Sequence, residues 1–203
     1  MQIVIATANS DKLREIGQIL DMDDLQISSL ADFRGLPPVA EDGDSFADNA
    51  LLKAQAAAYH TGLWALADDS GLVVPALDGQ PGIFSARFAG PGATYADNVA
   101  KVLDLLRDVP DERRQAEFVC SIALVGTNNR AYISEGRLPG MIVRQPRGSG
   151  GFGYDPIFLL PDKGKTLAEL DPGEKNAISH RTAALRRIKP LLRMLAQQEK
   201  STC

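Results

Sequence analysis

Two periods alternate in the apolar positions of this chain. Gln2-Ile3-Val4-Ile5-Ala6-Thr7-Ala8 is a short apolar run that predicts a strand, and Leu13, Ile16 and Leu20 follow at the spacing of one helix face. Asn9 or Ser10 can cap that helix. Residues 32–43 read as loop, broken at Pro37-Pro38. Ser45 opens a second helix reaching about His60, with Asp48 placed as its capping-box partner. Ala47, Ala50, Leu51, Ala54 and Ala58 form its apolar stripe, while Asn49 and Lys53 lie one turn apart on another face. Leu63-Trp64-Ala65-Leu66 predicts a buried strand, and Ala67-Asp68-Asp69-Ser70-Gly71-Leu72 stands at its end.

Residues 78–92 hold several Gly and Pro and predict an ordered loop or a bent edge. Residues 95–107 return to helical periodicity. Residues 116–125 and 130–143 read as two strands joined at Thr127-Asn128-Asn129, and residues 152–160 as a further short strand ended by Pro161. Asp171-Pro172-Gly173-Glu174 combines a capping residue, proline at the first helical position and glutamate at the third, which starts a short helix. Ser179 can cap a last helix running to about Gln198, with Leu185, Ile188, Leu192 and Leu195 inward. Helices early and late around a run of strands predict an α/β fold. Its centre is a mixed β-sheet flanked by helices, in two lobes with a substrate cleft between them, and residues 1–203 form one such two-lobed domain.

Composition narrows the function. In 203 residues with 44% apolar content there is room for a generous core. The formal net charge of −4 gives no global field for nucleic acid or a membrane surface, so an anionic ligand needs a local basic pocket. No apolar run is as long as a membrane span, and no basic-then-apolar leader opens the chain. Cys120 and Cys203 form no framework and read as reduced thiols, so the expected location is the cytoplasm.

Four constellations carry chemistry. Asp68-Asp69-Ser70 places two carboxylates and a hydroxyl on a rigid platform. Buried carboxylates need a cationic partner, and magnesium is one that brings phosphates with it. An Asx-type turn before Gly71 is the structural alternative. Glu41-Asp42-Gly43 is a second acidic group; two such clusters can share one magnesium ion, or Glu41 and Asp42 are solvated loop residues. Thr7-Ala8-Asn9-Ser10-Asp11-Lys12 joins a strand to a helix start, where unpaired N–H groups, short donors and a lysine suit a phosphate, although Asn and Ser also serve there purely as caps. Gly148-Ser149-Gly150-Gly151-Phe152-Gly153-Tyr154-Asp155-Pro156 lets backbone approach a flat ligand on which Phe152 stacks, or is a glycine-rich hairpin with one core aromatic. Lys175 and Ser179-His180-Arg181 add donors, against a background reading of surface charge that suits Arg186 and Arg187.

Taken in order, these segments resemble the inosine triphosphate pyrophosphatase family, which hydrolyses non-standard purine triphosphates such as dITP, ITP and XTP. The resemblance rests on Thr7 to Lys12, Phe46-Ala47-Asp48-Asn49-Ala50-Leu51-Leu52-Lys53-Ala54, Ala67 to Leu72, Pro81-Gly82-Ile83-Phe84-Ser85-Ala86-Arg87, Gly151-Phe152-Gly153-Tyr154-Asp155-Pro156-Ile157-Phe158 and Glu174-Lys175-Asn176-Ala177-Ile178-Ser179-His180-Arg181. It implies a homodimer, a magnesium requirement, and cleavage between the α and β phosphates to a monophosphate and pyrophosphate. It also implies that Asp69 is the proton acceptor and a metal contact. Thr7, Ala8, Asn9, Ser10, Asp11, Lys12, Ser70, Phe152, Gly153, Tyr154, Asp155, Lys175, His180 and Arg181 match substrate contacts, and Lys53 adds charge for the triphosphate. Two departures stand out. Ala40 occupies a position that is usually acidic, so the resemblance implies Glu41, the next residue, as the substitute metal contact, with Asp42 as the alternative. Ala8 replaces a common glycine. Alternative readings are a nucleotide-binding protein with altered catalysis, or a phosphohydrolase of other modified nucleotides that releases orthophosphate.

Overall fold

The computed structural model describes residues 1–33, 35–37 and 39–202. Its strands are β1 (Gln2–Ile5), β2 (Gln26–Ser29), β3 (Trp64–Val73), β4 (Gln115–Val125), β5 (Ala131–Ile142), β6 (Phe158–Leu160) and β7 (Lys165–Thr166). The α-helices are α1 (Ser10–Ile19), α2 (Phe46–Thr61), α3 (Tyr95–Leu105), α4 (Pro172–Ile178) and α5 (His180–Thr202). The strands form one sheet in the order β2-β1-β3-β4-β5-β6-β7. β1 is parallel to β2 and β3, whereas β6 is antiparallel to β5 and β7, so the sheet is mixed. No helix among the described residues is long and apolar enough to cross a membrane.

Two compact units divide the chain: residues 1–69, 120–136 and 181–203, and residues 70–119 and 137–180. In the first unit the two-residue period of the strands sorts side chains onto two faces. Ile3 and Ile5 of β1, Leu66 of β3, and Cys120, Ile122 and Leu124 of β4 join Ile16 and Leu20 of α1 with Leu185, Ile188, Leu192 and Leu195 of α5. Val4, Ala65, Ala67, Ala123 and Val125 turn the other way and meet the alanines of α2, Ala50, Ala54, Ala57 and Ala58. Small residues there let α2 lie close to the strands. The second unit has its own core, in which Phe118 and Phe158 pack with Leu72, Val102 and Leu106. Arg114 is buried in that unit, donating to the carbonyls of Ile142, Leu106 and Val143.

Several local expectations change. Asp68, Asp69 and Ser70 lie inside β3 and not at its end, since the strand runs on to Val73, and this removes the Asx-turn alternative. Gly71 allows it: a Cβ there would fall 2.3 Å from Ser85 Oγ and 2.5 Å from the Gly82 carbonyl. That space is used by Ser85 Oγ, which accepts the Leu72 N–H at 2.9 Å. Asp48 does not close a capping box. Its N–H binds Ser45 Oγ, and its carboxylate takes the Ser45 hydroxyl at 2.7 Å. The strand expected over residues 152–160 begins only at Phe158, because residues 155–157 form a 3-10 turn around Pro156. β2 was not anticipated; its run Gln-Ile-Ser-Ser has too few apolar residues to show a period, and its pairing with β1 defines it. Residues 82–87 form a 3-10 helix within the Gly- and Pro-rich loop. Cys203 lies outside the described residues.

Candidate active site

In the first unit the carboxylate doublet is split by the strand that carries it. Successive side chains of a strand point to opposite faces. Asp68 therefore shares the face of Leu66 with α1 and α5, while Asp69 shares the face of Ala67 with α2.

On the Asp68 side the charges are densely paired, and Asp68, Glu15, Cys120 and Arg181 are all buried. Lys12 Nζ of α1 lies 2.5 Å from Asp68 Oδ1, and Arg181 Nε at the start of α5 donates to Oδ2 at 3.0 Å. The Cys120 thiol donates to the same Oδ2 at 2.9 Å. Arg181 Nη1 also binds Glu15, so Arg181, 1% exposed, bridges two buried carboxylates. Burial pushes the Asp68 carboxyl up, but Arg181 and then Lys12 outweigh it and hold it well below the usual carboxylate range. Arg181 is the mirror image: burial lowers it, yet Asp68 keeps it raised. Burial and the neighbouring Asp68 push the Cys120 thiol well up, so it stays protonated.

The Asp69 side is open in charge. Lys53 Nζ of α2 contacts both Asp69 Oδ1 and Glu41 Oε1 at 2.8 Å. Asn49, fully buried one turn earlier, accepts the Gly43 N–H at 2.9 Å and points its Nδ2 toward Asp69 Oδ2, 3.5 Å away. Asn49 thereby holds the loop bearing Glu41 beside Asp69. Burial lowers Lys53, but Asp69 and Glu41 more than restore it. Asp69 behaves oppositely: burial raises its carboxyl, and Lys53 and Lys12 do not offset that. Two carboxylates thus converge on one ammonium, leaving an excess of negative charge.

A hard divalent cation fits this donor set. Magnesium is typically held by one or two carboxylates, with water and phosphate oxygens filling the rest. Among the described residues no three His, Cys, Asp or Glu side chains converge to hold a metal; the two carboxylates that do meet are Glu41 and Asp69, both on Lys53. Asp42 is exposed, and Asp68 lies on the other face.

At the first helix start, the expected phosphate cradle is partly spent. Asn9 Oδ1 accepts the N–H groups of Asp11 at 2.9 Å and Lys12 at 3.1 Å. Thr7 Oγ1 takes the Asn9 N–H at 3.1 Å, and Asp11 pairs with Arg14 at 2.8 Å. Ala8 and Ser10 are exposed.

In the second unit the glycine-rich segment is pinned by Asp155. Its Oδ2 accepts the Phe152 N–H at 2.8 Å and the buried Lys175 ammonium of α4 at 2.6 Å. Lys175 Nζ also sits over the Phe152 ring, 4.5 Å from its centroid. Gly151, at φ 68°, is required here, because a Cβ would fall 2.0 Å from Asp155 Oδ2. Gly153 is likewise at positive φ, 63°. Tyr154 is a core residue with its hydroxyl donated to the Ser85 carbonyl at 2.9 Å. His180 stacks on Phe118 with centroids 4.7 Å apart. Ser70 is half-buried in β3.

Comparison with known proteins now decides the family. A model of the Ham1 family matches residues 3–191. The chain belongs to the Ham1 family. It is 53% identical over 188 residues to a dITP/XTP pyrophosphatase of Geobacter sulfurreducens, covering 93% of this chain and 94% of the relative. It is 48% identical to the dITP/XTP pyrophosphatase of Desulforamulus reducens, covering 96% of this chain and 97% of the relative. Among solved structures, a HAM1 protein from Coxiella burnetii matches with a TM-score of 0.87 and 46% identity, over 96% of this chain and 99% of that one.

Glu15, Asn49 and Cys120 bond Arg181, Asp69 and Asp68 respectively, and sequence reasoning assigned none of them to the candidate site. Asn49 had a readable signal, since it lies one helical turn before Lys53. Glu15 and Cys120 had none, because their roles depend on which strand face Asp68 occupies.

Proposed function

We propose that this protein is a nucleoside-triphosphate pyrophosphatase that hydrolyses non-canonical purine nucleotides, dITP/ITP and XTP/dXTP, to the monophosphate and pyrophosphate, clearing them from the nucleotide pool. The observation that carries the reading is the pair Glu41 and Asp69 converging on Lys53 within a chain of the Ham1 family. The near full-length similarity to dITP/XTP pyrophosphatases supports the substrate class.

Asp69 and Glu41 are the residues that would hold magnesium. When bound there, the ion neutralises triphosphate charge and polarises phosphoryl oxygens. Asp69 orients the attacking water and accepts its proton, a role suited to a carboxyl raised by burial. Lys53 supplies positive charge against the phosphates, and the Thr7 to Lys12 turn, Ser70 and Lys175 bind the rest of the polyanion. Catalysis of this kind is mostly positioning and charge stabilisation. Phe152 stacks on the base, with Gly153, Tyr154 and Asp155 shaping that segment.

Base choice follows from hydrogen-bond direction. Hypoxanthine and xanthine present a 6-keto acceptor where adenine presents a donor. Donors at His180 and Arg181 therefore match the first two and clash with the third. A buried unpaired donor costs about 1–3 kcal/mol. The same reading carries a homodimer, a cytoplasmic location, and residues 1–203 acting as one catalytic domain.

The test is a magnesium-dependent assay on dITP, XTP, dGTP and ATP, with products resolved. Pyrophosphate released from dITP and XTP ahead of dGTP and ATP is the expected result. Orthophosphate would point to a different phosphohydrolase, and no product to a binding protein.

A further inference from the structure

Phe152 is not alone among the aromatic rings of the second unit. Tyr95, the first residue of α3, packs against it with centroids 6.0 Å apart and ring planes tilted by 42°. Tyr95 keeps 44% of its surface exposed, so it is no core residue. Its helix start is already closed by the capping box of Thr94 and Asp97, and its ring is not needed for that cap. The Lys175 ammonium lies over the Phe152 ring at 4.5 Å, and the Asp155 carboxylate anchors that ammonium at 2.6 Å. One face of Phe152 therefore carries a fixed charge. Beside it, the half-exposed Tyr95 ring extends the aromatic surface at an angle.

From this we infer that Tyr95 is a base-binding residue, a second aromatic wall that contacts the purine together with Phe152. The inference rests on the proposed stacking role of Phe152 and adds the residue that sets how tightly the base is held. A flat heteroaromatic ring stacked face to face on Phe152 meets the Tyr95 ring at the same 42° tilt, between a parallel and an edge-to-face contact. Stacked and edge-to-face arrangements, the limits of that range, are both favourable for π systems. Tyrosine supplies this surface with few rotors to immobilise, which favours binding. The role is in affinity and not in the chemical step, because the Tyr95 ring is assigned to the base and has no part in holding the metal, the water or the phosphates.

The experiment compares Tyr95→Ala, Tyr95→Leu, Tyr95→Phe and Phe152→Ala, each checked for an unchanged thermal midpoint. KM and kcat are measured for dITP, and inhibition constants for dIMP, which has the base, and for pyrophosphate, which lacks it. Tyr95→Ala and Tyr95→Leu are expected to raise KM and the dIMP constant about 3- to 10-fold in parallel. Neither changes kcat or the pyrophosphate constant by more than about 2-fold on this scheme. Tyr95→Phe retains wild-type values. Should Phe152→Ala raise KM and the dIMP constant while both Tyr95 truncations leave them unchanged, the inference fails and the base-stacking reading stands. Should Phe152→Ala also leave them unchanged, the stacking reading itself fails. An equal rise in the pyrophosphate constant in the Tyr95 variants would mark the residue as merely structural and overturn the proposal.

Discussion

Asp68 and Asp69 are neighbours in sequence and face opposite sides of β3: Asp68 meets Lys12 and Arg181, and Asp69 meets Lys53 and Asn49. A doublet that looks like one acidic site is therefore two sites with different work. Asp68 locks α1 and α5 to the sheet. Asp69 faces the Glu41 loop.

The Asp68 side is expected to govern stability. Arg181→Ala leaves Asp68 and Glu15 buried without their shared cation, and Asp68→Asn leaves Arg181 and Lys12 under-compensated. Breaking a buried pair by removing one partner typically costs about 3–5 kcal/mol. For a chain of this size that lowers the thermal midpoint by roughly 6–20 °C. Scanning calorimetry in metal-free buffer checks it, and a midpoint within a degree or two of wild type would exclude a locking role for this cluster.

The Glu41 loop is expected to govern metal affinity. Glu41→Gln removes one of the two carboxylates on Lys53. The magnesium concentration for half-maximal dITP turnover should rise about 10-fold or more, with most of kcat recovered at saturating metal. Asn49→Ala, which releases Gly43 from α2, should shift the metal requirement in the same direction. A metal titration of each variant measures this; superimposable curves would remove Glu41 from the metal shell. Chelation with EDTA should abolish turnover of the wild-type protein.

Cys120 is expected to be inert. It is buried, donates to Asp68, and has its thiol pushed well up by burial. Thiolate is the reactive form, so little of it exists at neutral pH. In a Cys203→Ser background, a thiol reagent such as DTNB should give no signal at pH 8 until denaturant is added. Stoichiometric reaction in native buffer would contradict the hydrogen bond to Asp68.

Legibility in the sequence followed the physical range of each interaction. Helix caps and strand periods are local, so α1, α2, α3 and the β4–β5 hairpin lie close to where the apolar pattern puts them. The short α4 was legible from Asp171, Pro172 and Glu174, which form the expected capping box. β2 was not, because its partner lies more than twenty residues away and its own residues carry no period. At the site, the lysines, Asp69 and Phe152 were legible as motif members. Their partners were not: that Arg181 bonds Glu15, that Tyr154 spends its hydroxyl on Ser85, and that Asn9 occupies helix-start N–H groups depend on contacts the chain order does not reveal. The extension of β3 through Asp68 to Val73 was the decisive miss, since it is this extension that separates the two carboxylates.

The most direct measurement is dITP turnover by Asp69→Asn alongside its thermal midpoint. Burial already penalises the charged form of Asp69, so neutralising it leaves the fold intact in metal-free buffer. With the proton acceptor and metal contact gone, kcat is expected to fall by about 100-fold to 10,000-fold or more, with a midpoint within a few degrees of wild type. Near-normal turnover in a folded Asp69→Asn protein would contradict the assignment of the reaction to this face of β3.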